Sequence, residues 1–559
     1  MSNPISERSG AQVLVEQLLI QGVERASCVP GESYLSVLDA LIGSGVDMVT
    51  CRQEGGAAMM AEAWGKLSGR PGICFVTRGP GATNAAAGVH VAAQDSTPMI
   101  LFVGQVARGM KHREAFQELD YGAVFGTMAK WVVEIDDAAR MPELIARAFR
   151  VAMQGRPGPV VVALPEDMLD DLVSVPDAPR VEPVEAAPVA GDIARLSDML
   201  GAAERPFAIF GGSRWDAEAV AAFTGLCERF AMPFAAQFRR AGMVPAQHPN
   251  FAGDLSLGAN PALVSAIEGA DLVVLVGGRM SEISSQGYTL LPIPAGAQKL
   301  VHIHADADEI GRVYQPSLGI SATPKGIAPF FDTLRPDAPR QGEWVAAARA
   351  AYIDWSQEPT ANPGQLQMAQ VLCWMRDALP EDAILTNGAG NFAIWLNRYY
   401  RFESFNTHLA PTSGSMGYGF PAGIAAKRAF PSRTVVTLAG DGDFMMTGQE
   451  LATAMHHGIP IIVVLVDNGM YGTIRMHQER EYPTRVSSTA LTNPDFAALA
   501  LAHGGFGARV ERAEDFAAAF AEAQASGKPA VLHLILDPDA LSPTATIQGL
   551  RARQSSPKA

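Results

Sequence analysis

The chain has 559 residues, of which 48% are hydrophobic, and a formal net charge of −15 at pH 7. The length predicts several domains of roughly 100–200 residues each, and the acidic balance argues against non-specific nucleic-acid binding, which requires a basic surface. The sequence has no run of about eighteen apolar residues and no basic-then-apolar signal at its N-terminus, so we expect a cytoplasmic protein that does not contact a membrane.

The cysteines predict buried structural thiols. They are scattered, mostly through apolar runs, and form no CxxC pair, which argues against a zinc site, a disulfide framework or a catalytic cysteine. They are Cys28, Cys51, Cys74, Cys227 and Cys373.

Buried strands alternate with helices along the whole chain, which predicts an α/β fold of three domains, each built on a parallel sheet. Stretches rich in Pro and Ala separate the domains at residues 173–190 and near residue 362. The predicted domains are residues 1–178, 190–340 and 362–548.

The first two domains show this alternation in detail. In the first, strand VDMVTC precedes a helix over residues 54–67, and strand GICFVT, the turn RGPGATN, another helix and strand PMILFVG follow. The second contains the strands FAIFGG, DLVVLVGGR and KLVHIHAD. Its glycine turns could bind a nucleotide, but they lack the GxGxxG spacing of a dinucleotide-binding turn, so the residues leave both possibilities open.

The third domain carries an acidic residue between two glycines, Asp441 in GDG, directly after the apolar run VVTLAG. Thr447–Glu450 fits a capping box for a helix over LATAMHH, and IPIIVVLV predicts a second buried strand that ends just before Asn468. Because strand, helix and strand form a right-handed crossover, Asp441 and Asn468 should lie at the carboxyl ends of two parallel strands.

Ligands bind at that edge of an open α/β sheet. Two side-chain oxygens suit a hard divalent cation such as Mg²⁺, and Gly440 and Gly442 would let a phosphate approach the main chain closely. A turn that holds Asp441 for structural reasons alone is the alternative. The Asn at the end of the next strand favours the ligand site.

Five separated motifs resemble the thiamin-diphosphate-dependent enzymes of the acetolactate synthase-like family, in the same order and over nearly the whole chain. They are EGGAAMMAEAWGKLSGRPGICFVTRGPGATN, HREAFQELD, GRPGPVVVALPEDM, TSGSMGYGFPAG and the GDG motif with Asn468. The resemblance implies that the three α/β domains are a pyrimidine-binding, a central and a diphosphate-binding domain.

The resemblance also implies a Mg²⁺ ion held by Asp441, Asn468 and the main-chain carbonyl of Met470, together with diphosphate oxygens. Further cofactor contacts are implied in the same motifs and in the loop before them. They come from Gly442, Asp443, Tyr471, Gly472 and Asn391 at the diphosphate, and from Gly414 and Met416 where the cofactor bends.

Three residues are the predicted catalytic residues: Glu54, Phe116 and Gln117. Glu54 matches the family's cofactor glutamate, whose carboxyl group would hydrogen-bond the pyrimidine and promote proton removal from the thiazolium ring. A solvated Glu that favours the helix dipole is the structural alternative. Phe116 and Gln117 match an aromatic wall and an amide donor at the substrate, and Ile474 and His477 align with residues that contact the substrates.

The chain departs from the biosynthetic acetohydroxyacid synthases at several positions. Glu166 stands where they have Lys, Asn391 and Phe392 where they have Gln-His, and His477 where a Trp helps to select the second keto acid. The flavin-binding signatures of the central domain are not evident, so FAD is a doubtful cofactor.

We therefore predict a thiamin-diphosphate- and Mg²⁺-dependent enzyme that decarboxylates a 2-keto acid and ligates the remaining fragment to an acceptor carbonyl. The alternatives are a non-ligating decarboxylase or 2-hydroxyacyl lyase of the same fold and, from another class, a catalytically silent binding or regulatory protein. The resemblance implies a homodimer as the smallest active unit, since the two domains that meet at each cofactor come from different subunits. A homotetramer is the expected assembly.

Overall fold

Three parallel six-stranded sheets organise the part of the chain that the computed structural model describes, residues 6–555. By their internal contacts these residues divide into two units. The first unit contains one sheet and runs to Val184, with Pro411–Pro431 and Thr447–Ile459 joined to it. The second contains the other two sheets and holds Glu185–Ala410, Ser432–Met446 and the chain from Pro460 onward. The predicted fold class is confirmed.

The first unit opens with alternating strands and helices. Its sheet strands are β1 (Arg25–Cys28), β2 (Asp47–Thr50), β3 (Gly72–Val76), β4 (Met99–Gln105), β5 (Trp131–Glu134) and β6 (Pro159–Pro165). The helices are α1 (Gly10–Ile20), α2 (Leu35–Leu41), α3 (Glu54–Ser68), α4 (Pro80–Asp95), α5 (Tyr121–Phe125) and α6 (Met141–Met153). The parallel order is β2-β1-β3-β4-β6-β5. The strands predicted from VDMVTC, GICFVT and PMILFVG are confirmed as β2, β3 and β4, and the helix predicted over 54–67 as α3.

The first sheet of the second unit spans residues 206–321. Its strands are β7 (Pro206–Phe210), β8 (Phe234–Gln237), β9 (Phe251–Leu255), β10 (Leu272–Val276), β11 (Lys299–His304) and β12 (Leu318–Ser321). Its helices are α7 (Ala190–Ala202), α8 (Ala217–Arg229), α9 (Pro261–Glu268), α10 (Pro324–Phe331) and α11 (Glu343–Ser356). The parallel order is β9-β8-β7-β10-β11-β12, and the three predicted strands are confirmed as β7, β10 and β11. The stretch predicted as a junction before residue 362 contains α11.

The last sheet follows the strand pattern of the first one. Its strands are β13 (Ile384–Asn387), β14 (His408–Leu409), β15 (Val435–Gly440), β16 (Ile462–Asp467), β17 (Phe506–Val510) and β18 (Ala530–Ile535). The helices of this part of the chain are α12 (Met368–Ala378), α13 (Phe392–Tyr399), α14 (Gly419–Ala429), α15 (Asp441–Phe444), α16 (Leu451–His456), α17 (Gly472–Glu481), α18 (Phe496–Ala502), α19 (Phe516–Ser526) and α20 (Ile547–Ser555). The strands are all parallel and lie in the order β14-β13-β15-β16-β18-β17. From β13 the chain adds β14 on one side and then β15 on the other, and ligands bind at such a switch point between two strands.

Short elements complete the described chain. Antiparallel pairs join Arg8–Ser9 to Leu172–Val173 and Ala540–Ser542 to Ala545–Thr546. The 3-10 helices are Glu32–Tyr34, Arg108–Met110, Ala138–Arg140, Met168–Asp170, Ala241–Met243, Ala307–Glu309, Gly448–Glu450 and Ala513–Asp515. Between residues 6 and 555, no helix has both the length and the apolar character needed to cross a bilayer.

Helix α3 packs closely against α4 and α14 because small residues stand where the helices approach each other. A Cβ atom at Gly88 of α4 would lie 2.4 Å from the Cβ atom of Ala58 in α3. Trp64 of α3 is buried and donates its indole N–H to the main-chain carbonyl of Ala425 in α14 at 2.9 Å. The contact of Trp64 with Ala425 joins α14 to the first unit.

The five cysteines are free and buried, as predicted. Burial raises the pKa of the Cys28 thiol to about 11, so this side chain stays a neutral thiol at physiological pH. The cysteines therefore serve as small apolar side chains of the core.

The capping box predicted at Thr447–Glu450 is wrong. Thr447 donates its hydroxyl to the carbonyl of Gly417 at 2.7 Å, and it makes no side-chain cap for the following helix. The carboxylate of Glu450 turns away from Thr447 and accepts hydrogen bonds from main-chain amides that precede α3. Tertiary partners thus replace the local pairing that the sequence pattern favours.

Glu479 ties the C-terminal helix α20 to α17. Its buried carboxylate accepts hydrogen bonds from Arg551 at 2.6 and 2.8 Å, from Arg475 at 2.9 Å and from the Thr484 amide at 3.1 Å. Chiefly because of Arg551, and against the effect of burial, the pKa of Glu479 is lowered to about 2. Since the unfolded value is about 4.3, the carboxylate stabilises the fold fully above that pH and loses this contribution as the pH falls towards 2.

Replacing Glu479 with Gln should loosen α20. The amide keeps the side-chain volume but loses charge-assisted hydrogen bonds, each worth roughly 1.5–3 kcal/mol, so amide hydrogen exchange in α20 should quicken at least about tenfold at pH 7. The difference from the unmodified protein should shrink as the pH is lowered from about 5 towards 3. Glu481→Gln, the same change at an exposed position of α17, is the control. Equal exchange rates at pH 7 would show that Glu479 does not hold α20.

Candidate functional site

The loop after β15 places a buried carboxylate at the carboxyl end of the last sheet. Asp441 is only 4% exposed; it accepts hydrogen bonds from the Gly442 amide at 2.9 Å and from the Asn493 side chain at 2.7 Å. Burial, reinforced by Asp467, raises the pKa of Asp441 to about 6 against these hydrogen bonds. A cation beside this carboxylate would favour its ionised form.

Asn493 links Asp441 to a second carboxylate. Its side-chain amide also donates to Asp467 at 2.8 Å, and the other oxygen of Asp467 lies 2.8 Å from Nε2 of His533. Burial opposes the ionisation of Asp467, but hydrogen bonds from His533, Gly469 and Asn493 outweigh it and lower the pKa. Asp441 is thus the less stabilised carboxylate of the pair.

Asp441 and Asn468 lie at the ends of neighbouring parallel strands, as predicted. Gly440 of β15 pairs with Val466 of β16 in parallel register. Strand β15 ends at the residue directly before Asp441, and β16 ends at the residue directly before Asn468. The crossover through α16 therefore brings two side-chain oxygens to one edge of the sheet.

The turn after β16 is held in a defined shape. The side-chain oxygen of Asn468 accepts a hydrogen bond from the Met470 amide at 3.3 Å. Gly469, between them, has a φ of 66°, a conformation that favours glycine. An antiparallel bridge between Met470 and Ala490 fixes the far side of the turn.

Two glycines make room for side chains at this edge. A Cβ atom at Gly442 would lie 2.6 Å from the ring of Tyr471, and one at Gly388 would lie 2.0 Å from the carboxylate of Asp443. Asp443 accepts a hydrogen bond from the Ala389 amide at 3.0 Å. Its carboxylate therefore caps the loop after β13, the strand that neighbours β15 across the switch point of the sheet.

Asn391 lies at the start of α13 and contacts α17. Its side-chain oxygen accepts a hydrogen bond from the Thr473 hydroxyl at 2.9 Å, and its amide lies 3.8 Å from the sulfur of Met476. Ile474 and His477, three residues apart on α17, are both exposed. The structure thus places the predicted diphosphate residue Asn391 beside the helix that carries the predicted substrate residues.

These residues fit a magnesium diphosphate. Within residues 6–555 no group of three or more His, Cys, Asp or Glu side chains could hold a metal ion. A cation at Asp441 would therefore depend on one carboxylate, the Asn468 amide oxygen, main-chain oxygen and oxygens of its ligand. Mg²⁺ is bound in this way, by one or two carboxylates together with substrate phosphates.

In the first unit, Glu54 begins α3 and meets the N-terminal part of α4. Its carboxylate accepts a hydrogen bond from the side chain of Asn84 at 3.0 Å, and a Cβ atom at Gly81 would lie 3.4 Å from its other oxygen. Gln53 caps the helix, because its side chain accepts the Gly56 amide at 3.0 Å. The side chain and the main chain of Glu54 are thus held by separate contacts.

Phe116 and Gln117 lie against the loop after β3. Arg78 donates to the carbonyl of Phe116 at 3.1 Å, and the Phe116 ring is 72% exposed. Gln117 has a φ of 64°, and a Cβ atom at Gly79 would lie 2.7 Å from its carbonyl oxygen. Phe116 and Gln117 therefore lie against the loop between β3 and α4, and Glu54 lies against the first turns of α4 that follow it.

Glu166, at the position where the sequence resemblance leads us to expect Lys, has a partner in this loop. It lies 3.3 Å from the guanidinium of Arg78, which also pairs with Glu32 at 2.7 Å. Two carboxylates thus surround the cation next to Phe116. The charge around the predicted substrate residues differs from that of a site with Lys at position 166.

Gly414 and Met416 belong to a separate loop of the first unit. Asp95 accepts hydrogen bonds from the amide and the hydroxyl of Thr412, with the amide at 2.7 Å. Gly414 has a φ of 68° and is exposed, and Met416 is half-buried. The loop is therefore anchored at its start and leaves the Gly414 region accessible.

Several residues around these sites are not predicted from the sequence. Asn493 contacts Asp441, and His533 contacts Asp467, but both lie far from GDG in the chain and share no spacing pattern with it. Asp467 directly precedes Asn468, and the motif does not distinguish it from its neighbours. Asn84 falls inside the RGPGATN motif, so the motif contains it without distinguishing it from its neighbours. The sequence pattern favours a local cap for Glu450, which hides its contact with the chain before α3.

Family models match three separate parts of the chain. The N-terminal TPP binding domain of thiamine pyrophosphate enzymes matches residues 8–124, the central domain of these enzymes matches 193–331, and their C-terminal TPP binding domain matches 388–534. The first match contains Glu54, Phe116 and Gln117, and the last contains Asp441 and Asn468.

Curated relatives match almost the whole chain. Acetolactate synthase isozyme 2 large subunit of Escherichia coli is 32% identical, over 95% of this chain and 96% of the relative. Acetolactate synthase large subunit of Corynebacterium glutamicum is 31% identical over 95% and 87%, and acetolactate synthase of Mycobacterium bovis is 30% identical over 96% and 89%. The chain therefore belongs to the acetolactate synthase-like family of thiamine pyrophosphate enzymes.

Proposed function

We propose that the protein binds thiamin diphosphate with Mg²⁺, decarboxylates a 2-keto acid and ligates the remaining fragment to an acceptor carbonyl. The observation that carries this proposal is the buried Asp441 carboxylate beside Asn468 at the strand ends, because it fits a metal-bound diphosphate. The names of the relatives, all acetolactate synthases, support ligation over the release of an aldehyde. The alternatives are a non-ligating decarboxylase or 2-hydroxyacyl lyase and a catalytically silent protein, and product analysis separates the ligating enzyme from the decarboxylase and from the silent protein.

Asp441, Asn468 and the carbonyl of Met470 would hold the metal. Glycine at 442 lets Tyr471 lie over the loop, and the remaining diphosphate contacts would come from Gly472 and from the main chain of Asp443, whose carboxylate faces another loop. A carboxylate turned towards a diphosphate would repel it. The Asp443 carboxylate avoids that repulsion because it faces the Ala389 amide instead.

When bound, the cofactor supplies a carbon nucleophile and takes up the electron pair that is released as carbon dioxide leaves. Glu54 would hold a proton at the pyrimidine ring nitrogen, and Asn84 keeps its carboxylate oriented through their 3.0 Å hydrogen bond. The Gln117 amide would donate to the substrate oxygen on which negative charge develops. Phe116, Ile474 and His477 would form the walls that select the substrates, with Gly414 and Met416 shaping the cofactor bend.

The smallest active unit in this proposal is a homodimer, with a homotetramer as the expected assembly and the cytoplasm as the expected location. FAD has no part in it. The substrate is a small 2-keto acid. The domain bounds predicted from the sequence also remain predictions.

Product analysis tests the proposed function directly. Purified protein, thiamin diphosphate and Mg²⁺ are incubated with a panel of 2-keto acids, and the products are identified by mass spectrometry. We expect ligated products to exceed free aldehyde, and Asp441→Ala protein, purified in the same way, to give none. Aldehyde alone would support the decarboxylase, and no turnover of any candidate would support the silent protein.

The metal assignment predicts a loss of cofactor affinity in Asp441→Ala. This change removes the charged protein ligand, so thiamin diphosphate should bind at least about tenfold more weakly by calorimetry with Mg²⁺ present. Chelation of Mg²⁺ should weaken binding strongly in the unmodified protein and much less in the variant, since the variant has already lost the metal contact. Unchanged affinity in Asp441→Ala would remove Asp441 from the site.

A dimer with sites formed between subunits predicts complementation. Chains with Glu54→Ala and chains with Asp441→Ala should each be inactive, but a mixed and refolded sample should regain up to about a quarter of the original activity. This value assumes random pairing and two independent sites in each dimer. Mass spectrometry confirms that heterodimers have formed, and heterodimers without any recovered activity would contradict sites built from two subunits.

A further inference from the structure

Glu450 has a buried carboxylate that the proposed chemistry does not use. It ends the 3-10 helix before α16, is 0% exposed, and accepts a hydrogen bond from the Thr453 hydroxyl at 2.6 Å. Buried acidic side chains are rare unless they are paired or fully hydrogen-bonded. The partners of Glu450 therefore indicate what the residue does.

The main partners of Glu450 are the two peptide groups in front of Glu54. One carboxylate oxygen accepts the Gln53 amide at 3.0 Å, and both oxygens lie 3.2 Å from the Arg52 amide. Residues 450 and 52 are 398 positions apart in the chain. A side chain from a distant segment thus holds the turn that leads into α3.

Two further features show that this contact is built into the first unit. A Cβ atom at Gly56, in the first turn of α3, would lie 2.8 Å from the Glu450 carboxylate, so glycine permits the approach. In the same segment as Glu450, His457 accepts the Thr50 amide at 3.0 Å through its Nε2 atom. The segment around α16 therefore holds the chain from the end of β2 to the start of α3.

We propose that Glu450 is a positioning residue for Glu54. The Glu450 carboxylate fixes the main chain at Arg52 and Gln53, and Asn84 fixes the Glu54 carboxylate, so together they set where Glu54 meets its ligand. Proton transfer depends steeply on such placement. The inference rests on the proposed function, because it requires Glu54 to act on the pyrimidine ring of the cofactor.

The test separates positioning from stability by measuring three quantities in Glu450→Ala. Amide hydrogen exchange at residues 52–56 in cofactor-free protein should quicken at least about tenfold. Exchange of the reactive ring proton of bound thiamin diphosphate, followed by NMR, should slow at least about tenfold, since positioned proton transfer contributes roughly 10²–10⁴. The affinity for thiamin diphosphate should change by less than about threefold, because the metal and diphosphate contacts lie elsewhere in the chain.

Two variants act as controls. Thr453→Val removes one hydrogen bond of Glu450 at equal volume and should leave the ring-proton exchange within about twofold of the unmodified rate. Glu54→Gln should slow that exchange by about 10² or more on its own. Adding Glu450→Ala to Glu54→Gln should then slow it by less than about a further twofold, because residues that act through one group are not additive.

If Glu450→Ala does not fold, Glu450→Gln takes its place. Gln keeps the shape but turns one acceptor oxygen into a donor that faces the Arg52 amide, so ring-proton exchange should still slow severalfold. The inference would be overturned if a folded Glu450 variant exchanged the ring proton at the rate of the unmodified protein. It would also be overturned if the effects of Glu450→Ala and Glu54→Gln on that rate multiplied fully in the double variant. Failure of the proposed function would look different, because the unmodified protein itself would then not bind thiamin diphosphate.

Discussion

The buried carboxylate of Asp441 is the constraint on which the candidate site of the second unit depends. Removing a carboxylate from water costs several kcal/mol unless charge or hydrogen bonds compensate for it. At Asp441 the compensation is incomplete, as its raised pKa of about 6 shows. The Gly442 amide and the Asn493 side chain, which is shared with Asp467, donate the hydrogen bonds that this group receives. A bound cation would supply the charge that the protein leaves out.

The first and the last sheet repeat one strand order, yet their proposed functional residues follow different strands. Glu54 follows the outer strand β2 of its sheet, whereas Asp441 follows the central strand β15. In the proposed function, the repeated fold would therefore carry two kinds of chemistry, proton handling at one sheet edge and anion and metal binding at the other. Fold alone does not determine which chemistry a sheet edge performs.

Much of the fold and part of the site follow from local sequence patterns. Apolar runs bounded by glycine predict the strands, and the crossover rule places Asp441 beside Asn468, because both effects depend on neighbours in sequence. Glu54 is found only by family resemblance, since one Glu at a helix start is common. Asn493 is not predicted, because its contact with Asp441 joins positions 52 residues apart with no periodic signal.

The wrong capping box also shows that local sequence patterns do not predict contacts between distant parts of the chain. The pattern at Thr447–Glu450 fits the local rule, and the local rule considers partners three residues away. In the folded protein, the amides of Arg52 and Gln53 donate to this carboxylate instead, and the Glu450 side chain is fully buried. A polar residue that breaks a local rule thus marks a tertiary contact.

The discontinuous make-up of the first unit limits how the chain can be divided. A fragment that ends at Val184 would lack α14 and α16, and with them the Ala425 carbonyl under Trp64 and the carboxylate behind Arg52. Its sheet would be complete, but the helical layer over it would be stripped of buried partners. Exchange of this unit between related chains, by evolution or by design, must therefore move Pro411–Pro431 and Thr447–Ile459 together with the N-terminal residues.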